Sequence, residues 1–397
     1  MSTELKSPDD DVAERPPRRR VRRFFKRLSV LLLVLLGIEV VGRVAAYAWH
    51  GGNEYYLLYG FQALAGRVGI SPWQVYDGSC FKFPPNYAIE GAAGQGDETA
   101  HTNSLGFRGE DFAPEKPAGV FRIICLGGSS TFGYHNNDDE TYPYDLGQLL
   151  GEEYEGVEVL NAGFPYYNTG SIRSLLTSEL LDYDPDLLTI YSAYNDACWP
   201  LRVQEPLRWV FWLQQHSIVY LFLKETVLSD QRIYWIKNKL HDRLGRAPDP
   251  KAVLANADAV AARYRSNLDA ILAAAKERQI PVVVIRQPIT TRSSSPVVQK
   301  YSYEEEAAWV RDRLDKGEFL WNFDYYMIRH HRLIQELDSL AAEHELPVVD
   351  NISIVDQDRT RLTTWVHLTA EANLRLAEAL RDTLRGWIPA SHRRGAR

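Results

Sequence analysis

Four short segments carry residues whose types could do chemistry together. Ser129 stands in GGSSTFG (Gly127–Gly133), Gly163 closes Asn161-Ala162-Gly163, Asn195 lies in SAYND (Ser192–Asp196), and His367 lies in TTWVHLTAEAN (Thr363–Asn373). A serine behind two glycines can sit on a sharp turn at a helix N-terminus, where backbone N–H groups and the helix dipole favour developing negative charge. An imidazole can act as its base, and a carboxamide with backbone N–H groups can hold an oxyanion. Taken singly, each has a plainer reading: a capping serine, a turn glycine, a cap asparagine, a structural histidine. Two other serine or glycine motifs are missing. No GKS or GKT ending follows the glycines, and a GxSxG elbow is ruled out because residue 131 is Thr.

Such groups work only if the chain gathers them. The runs FRIICL (Phe121–Leu126), VEVLNA (Val157–Ala162), DLLTIYS (Asp186–Ser192), IPVVVIR (Ile280–Arg286) and LPVVD (Leu346–Asp350) are short and continuously apolar. Strands buried on both faces have this pattern. Helical segments separate them, the clearest spanning Val253–Gln279, and alternating strand and helix predicts a doubly wound parallel α/β sheet. Reactive groups in such sheets collect at the carboxyl ends of the strands, where all four segments fall. Thr369 is the expected N-cap of a helix over AEANLRLAEALRDTL, with Glu371 in its first turn.

The domain so defined covers 116–388, followed by a basic tail at 389–397. It is interrupted by an aromatic-rich insertion at 199–250 and a mixed one at 290–325. The aromatic stretch reads as a lid over an acyl pocket, a membrane-surface element or added core. Residues 50–115 read as a linker and an irregular covering segment. With 397 residues, 45% apolar and 24% charged, the chain can bury a sizeable core. The net charge of -7 conceals nine basic and five acidic residues in 1–27, so the folded remainder is more acidic still. That speaks against nucleic acid as a partner. Cys80, Cys125 and Cys198 form no metal-ligand spacing; Cys125 reads as a small buried hydrophobe, and a Cys80–Cys198 bridge is permitted but not required.

The N-terminus reads as an anchor. RRRVRRFFKR (Arg18–Arg27) runs into LSVLLLVLLGI (Leu28–Ile38), a positive-inside signal that leaves 1–27 cytoplasmic and exports the rest. Carrying the span to Trp49 gives the required length, and Glu39 and Arg43, four residues apart, can pair on one face. The competing reading is a cleaved signal peptide at Ala46-Tyr47-Ala48. Both place the domain outside the cytoplasm, with the anchor reading giving a single-pass, bacterial-type plasma-membrane protein.

GGSSTFG, NAG, AYND and VHLTAEAN together resemble blocks I, II, III and V of the GDSL/SGNH hydrolases, and NSLGFRGEDF (Asn103–Phe112) and ETYPYDL (Glu140–Leu146) resemble a membrane-anchored branch of them. The resemblance implies a three-layer α/β/α domain with a five-stranded parallel sheet. It implies Ser129 as nucleophile, His367 as general base, and an oxyanion hole of the Ser129 and Gly163 N–H groups with the Asn195 side chain. Gly128 stands where the name-giving Asp is usual, and Ala193 replaces a Gly. The larger departure is Thr364, three residues before His367, where the family has an Asp that orients the imidazole. Asp356, Asp358 or a backbone carbonyl could take that role, and Asp358 is the expected one.

The expected activity is cleavage or transfer of an acyl ester, on a lipid or acylated glycan, without metal or organic cofactor. Two rivals remain: an O-acyltransferase or deacetylase acting on cell-envelope polysaccharide, and a catalytically silent, membrane-tethered glycan-binding or assembly module.

Overall fold

A computed structural model describes residues 18–49, 74–76, 80–83, 85–90, 99–198, 217, 249–291 and 300–395. The five apolar runs become strands β1 (Phe121–Gly127), β2 (Val157–Gly163), β3 (Leu187–Tyr191), β4 (Val282–Ile285) and β5 (Val348–Val349). They form one sheet in the order β2-β1-β3-β4-β5, with every neighbouring pair parallel. The order reverses direction beside β1, which opens the crevice typical of doubly wound sheets just beyond its carboxyl end.

Side chains of a strand point alternately to its two faces, so a strand apolar throughout serves two cores. Ile124 and Leu126 of β1 pack into one cluster with α4 (Thr169–Ser178), α6 (Pro250–Glu277) and α8 (Asn322–Glu343). Ile123 and Cys125 pack into the other, with α3 (Tyr142–Glu153) and α10 (Ala370–Leu384). The result is the three-layer α/β/α arrangement. Cys125 is fully buried, and burial pushes its thiol up to about 12, in keeping with a small hydrophobe. Cys198 is also buried and carries a free thiol, so the optional bridge to Cys80 is not formed.

Local signals set the helix ends. The Thr369 side chain accepts from the Ala372 N–H, and α10 then presents Leu376, Leu380 and Leu384 at four-residue spacing to the sheet. Asp249 caps α6, with Pro250 in the first turn where no N–H is needed.

The two non-sheet regions are more regular than expected. The covering segment contains two antiparallel pairs, Gln74–Tyr76 with Cys80–Lys82 and Ala88–Glu90 with Thr99–His101. It also supplies Arg108, whose buried guanidinium donates to the carbonyls of Phe132, Gly133 and Asn136 and so clamps the turn after β1. The second insertion holds α7 (Tyr303–Asp315), started by a Ser302–Glu305 capping box, and leads into α8. Buried Glu306 of α7 accepts from Thr291 and pairs with Arg359 at 2.5 Å, which ties this insertion to the segment before His367.

Of the aromatic insertion at 199–250, only Ser217, Asp249 and Pro250 fall within the described residues. The Ser217 hydroxyl donates to Glu39 at 3.2 Å. Glu39 belongs to α1 (Arg18–Trp49) and also accepts from Arg43 at 2.9 Å. Within α1, Phe25–Ala45 is long and apolar enough to cross a bilayer, a description that a signal sequence also meets.

Candidate active site

Ser129 is the first residue of α2 (Ser129–Phe132), which begins two residues after β1 ends. The turn needs a glycine at 128 for a steric reason. A Cβ there would lie 2.7 Å from the Asn195 Nδ2 and 3.1 Å from the Tyr167 carbonyl oxygen. The carboxamide of Asn195 therefore rests directly on the backbone that carries Ser129. Asn195 lies in α5 (Tyr194–Cys198) at the carboxyl end of β3, and its Nδ2 donates to the Tyr167 carbonyl at 2.8 Å. An amide nitrogen has a second proton to offer.

His367 arrives from the far end of the chain on a tight loop. Leu362 and Leu368 bridge across it, and the Thr363 N–H donates to the His367 carbonyl at 2.9 Å. The loop holds the ring with Nε2 2.8 Å from Ser129 Oγ and Nδ1 2.8 Å from Thr364 Oγ1. The rings of His135 and Tyr134 stand 5.0 and 5.3 Å from it, centroid to centroid. Burial, and secondarily the neighbouring His135, pull the His367 pKa down to about 3. The imidazole is therefore neutral at ordinary pH.

Thr364 Oγ1 also accepts from the backbone N–H groups of Val366 and His367. A hydroxyl can accept from Nδ1–H or donate to bare Nδ1, whereas a carboxylate can only accept. The first choice leaves Nε2 free to take a proton from Ser129; the second puts a proton on Nε2 and blocks that transfer. Where a carboxylate would enforce one tautomer, Thr364 permits both and adds no charge to stabilise an imidazolium.

One expectation from the sequence needs correction. Asp358 does not approach the ring: it is fully exposed and its carboxylate accepts from the Thr360 N–H and hydroxyl at 3.0 and 2.6 Å. Asp356 is engaged with the Tyr303 N–H and with Arg359. Asp358, nine residues upstream, satisfies its own turn, while Asp356, eleven upstream, is taken up by the start of α7 and by Arg359. Gly163 lies against the residues that follow Ser129 in α2. Its N–H donates to Asn161 Oδ1 at 3.0 Å, and a Cβ on it would meet the Phe132 nitrogen at 2.3 Å. This glycine lets β2 close against α2.

The structure thus brings Ser129, His367 and Asn195 together, sets Gly163 against the same short helix, and leaves Asp358 outside the group. Sequence reasoning missed Thr364 as the Nδ1 partner, although its place in the motif was visible. It also missed Gln287, whose one signal is a polar side chain just beyond the carboxyl end of β4.

A five-stranded parallel sheet between helical layers, with a serine, a carboxamide and an imidazole at its carboxyl rim, defines a hydrolase-type site on a three-layer α/β/α fold. The chain belongs to the GDSL-like Lipase/Acylhydrolase family, whose model matches residues 125–375, and it is accordingly an ester hydrolase by family. No curated protein matches the chain significantly. Among solved structures, it is similar to the native aryl esterase of M. smegmatis, at 16% identity and a TM-score of 0.41, over 68% of this chain and 100% of that one. The lipase/acylhydrolase of Enterococcus faecalis, also 16% identical, gives 0.40 over 67% and 96%. A carbohydrate acetylesterase family member from Sinorhizobium meliloti, 12% identical, gives 0.40 over 68% and 99%.

Proposed function

We propose that this protein is a serine esterase or acyl-transferring enzyme held at a membrane by α1, with Ser129 as nucleophile and His367 as base. The reading is carried by one observation, the 2.8 Å contact between Ser129 Oγ and His367 Nε2, made by residues 238 positions apart. Neutral His367 takes the Ser129 proton as Oγ attacks the ester carbonyl. The negative charge on the former carbonyl oxygen falls at the N-terminus of α2, within reach of the Ser129 N–H and the spare proton of Asn195. The imidazolium returns its proton to the departing alcohol, leaving an acyl-serine. Water, or a hydroxyl of an acceptor such as a glycan, then attacks with His367 again as base.

The depressed pKa supports the role of base and works against the charged intermediate, so the chemical step is expected to be slower than one assisted by a carboxylate. The basic residues of 1–27 argue for a cytoplasmic N-terminus and a domain on the outer side of the membrane. The test is labelling of the full chain in detergent by a fluorophosphonate. Wild type should label and hydrolyse p-nitrophenyl acetate, and Ser129→Ala should do neither. Equal labelling of the variant would dispose of Ser129, and a wild type inert in both assays would favour the silent binding module.

A further inference from the structure

The three segments that bear Ser129, Asn195 and His367 come from different strands and loops, yet each is fastened at the very next residue. Ser130 Oγ donates to the Val366 carbonyl at 3.2 Å. Gln287 Nε2 donates to Ser130 Oγ at 3.1 Å, and the Tyr194 N–H donates to Gln287 Oε1 at 2.8 Å. Positions 130, 194 and 366 adjoin 129, 195 and 367. Ser130, Val366 and Gln287 are buried, with Gln287 only 4% exposed.

The polarity of this chain of bonds admits one solution. A backbone carbonyl only accepts, so the single Ser130 proton goes to Val366. The Ser130 oxygen must then accept, which requires the amide nitrogen of Gln287. The Tyr194 N–H only donates, which requires the amide oxygen. Both ends of the glutamine are thereby specified, and a group able to donate at one end and accept at the other is needed at 287. Two further bonds hold the histidine loop, from the Thr290 N–H to the Trp365 carbonyl and from Asn136 Nδ2 to the Leu368 carbonyl, so its attachment does not depend on Gln287 alone.

We propose that Gln287, acting through Ser130, is a positioning residue that sets the mutual register of the nucleophile, oxyanion and histidine segments. This rests on the reading of Ser129 and His367 as the reacting pair. Gln287 touches none of the reacting atoms, and its effect is on the distance and angle between groups that do. Misplacing a reacting group by about 1 Å costs on the order of 100-fold.

The decisive variant is Gln287→Glu, assayed across pH, which keeps shape and still accepts from Tyr194 but, once ionised, cannot donate to Ser130. Its hydroxyl is then contested by two acceptors. With the full chain in detergent and p-nitrophenyl acetate, kcat should fall about 10- to 100-fold, with KM within about twofold and the fluorophosphonate labelling rate falling in step. Ser130→Ala should lower kcat in the same direction. The double variant should lose less than the product of the two single losses, because both break one chain of bonds. Wild-type kcat in Gln287→Glu would overturn the proposal. So would a loss that vanishes once activity is divided by the folded fraction, or single losses that multiply. A wild type that neither labels nor turns over would remove the reading of the site itself, an outcome recognisable before any Gln287 variant is made.

Discussion

The nucleophile side of the site and the histidine side are held by different means. Ser129 and Asn195 sit two and four residues beyond the ends of central strands β1 and β3, and the Asn195 carboxamide lies against the backbone at Gly128. Their places follow from the sheet almost without side-chain help. His367 sits on a loop, 18 residues beyond the end of the two-residue edge strand β5, and its place depends on Thr364, Ser130, Asn136 and the Glu306–Arg359 pair. The strand-end half is positioned by backbone, the loop half by a network of side chains. Substitutions should therefore act locally on the first half and through several routes on the second.

The largest effect expected is at the base. His367→Ala should reduce kcat by on the order of 10⁴, measured by ester turnover and checked by slowed labelling of Ser129. Next comes Asn195→Ala, which removes one oxyanion donor and should lower kcat by about 10²–10³ with little change in KM. A smaller effect of opposite sign would sharpen the contrast between the halves. Thr364→Asp supplies a partner that can only accept and carries charge, so kcat should rise by about 10-fold or more in the direction of a full triad. The acid limb of kcat/KM tests the same point by pH. With the His367 pKa pulled down to about 3, the neutral base persists well below pH 6.5 and activity should hold into acid solution. A carboxylate beside Nδ1 favours the charged ring, so the limb should move upward toward neutral pH in Thr364→Asp. The smallest effect belongs to Asp358→Ala. Its carboxylate caps its own turn on the surface, and kcat should stay within about twofold; a loss on the scale of the histidine variant would restore Asp358 to the ring.

Much of this was open to a reader of the chain alone. Strands apolar at every position require cover on both faces, and five of them separated by helices leave few alternatives to a parallel three-layer sheet. Cap and spacing signals placed the helix after Thr369 to the residue. GGSS, AYND and VHLT were visible as places where chemistry could sit, since each follows or approaches a strand end. What the chain could not reveal was which donor faced which acceptor. Whether Asp358 turns to His367 or to Thr360 depends on differences of a few ångströms between competing partners. A hydrogen bond is lost over about that distance, and local turns compete for the same groups. Residue types and order therefore determined the sheet and the company of Ser129, Asn195 and His367, while tertiary packing alone decided that Thr364 rather than a carboxylate meets the ring and that Gln287 joins the three segments.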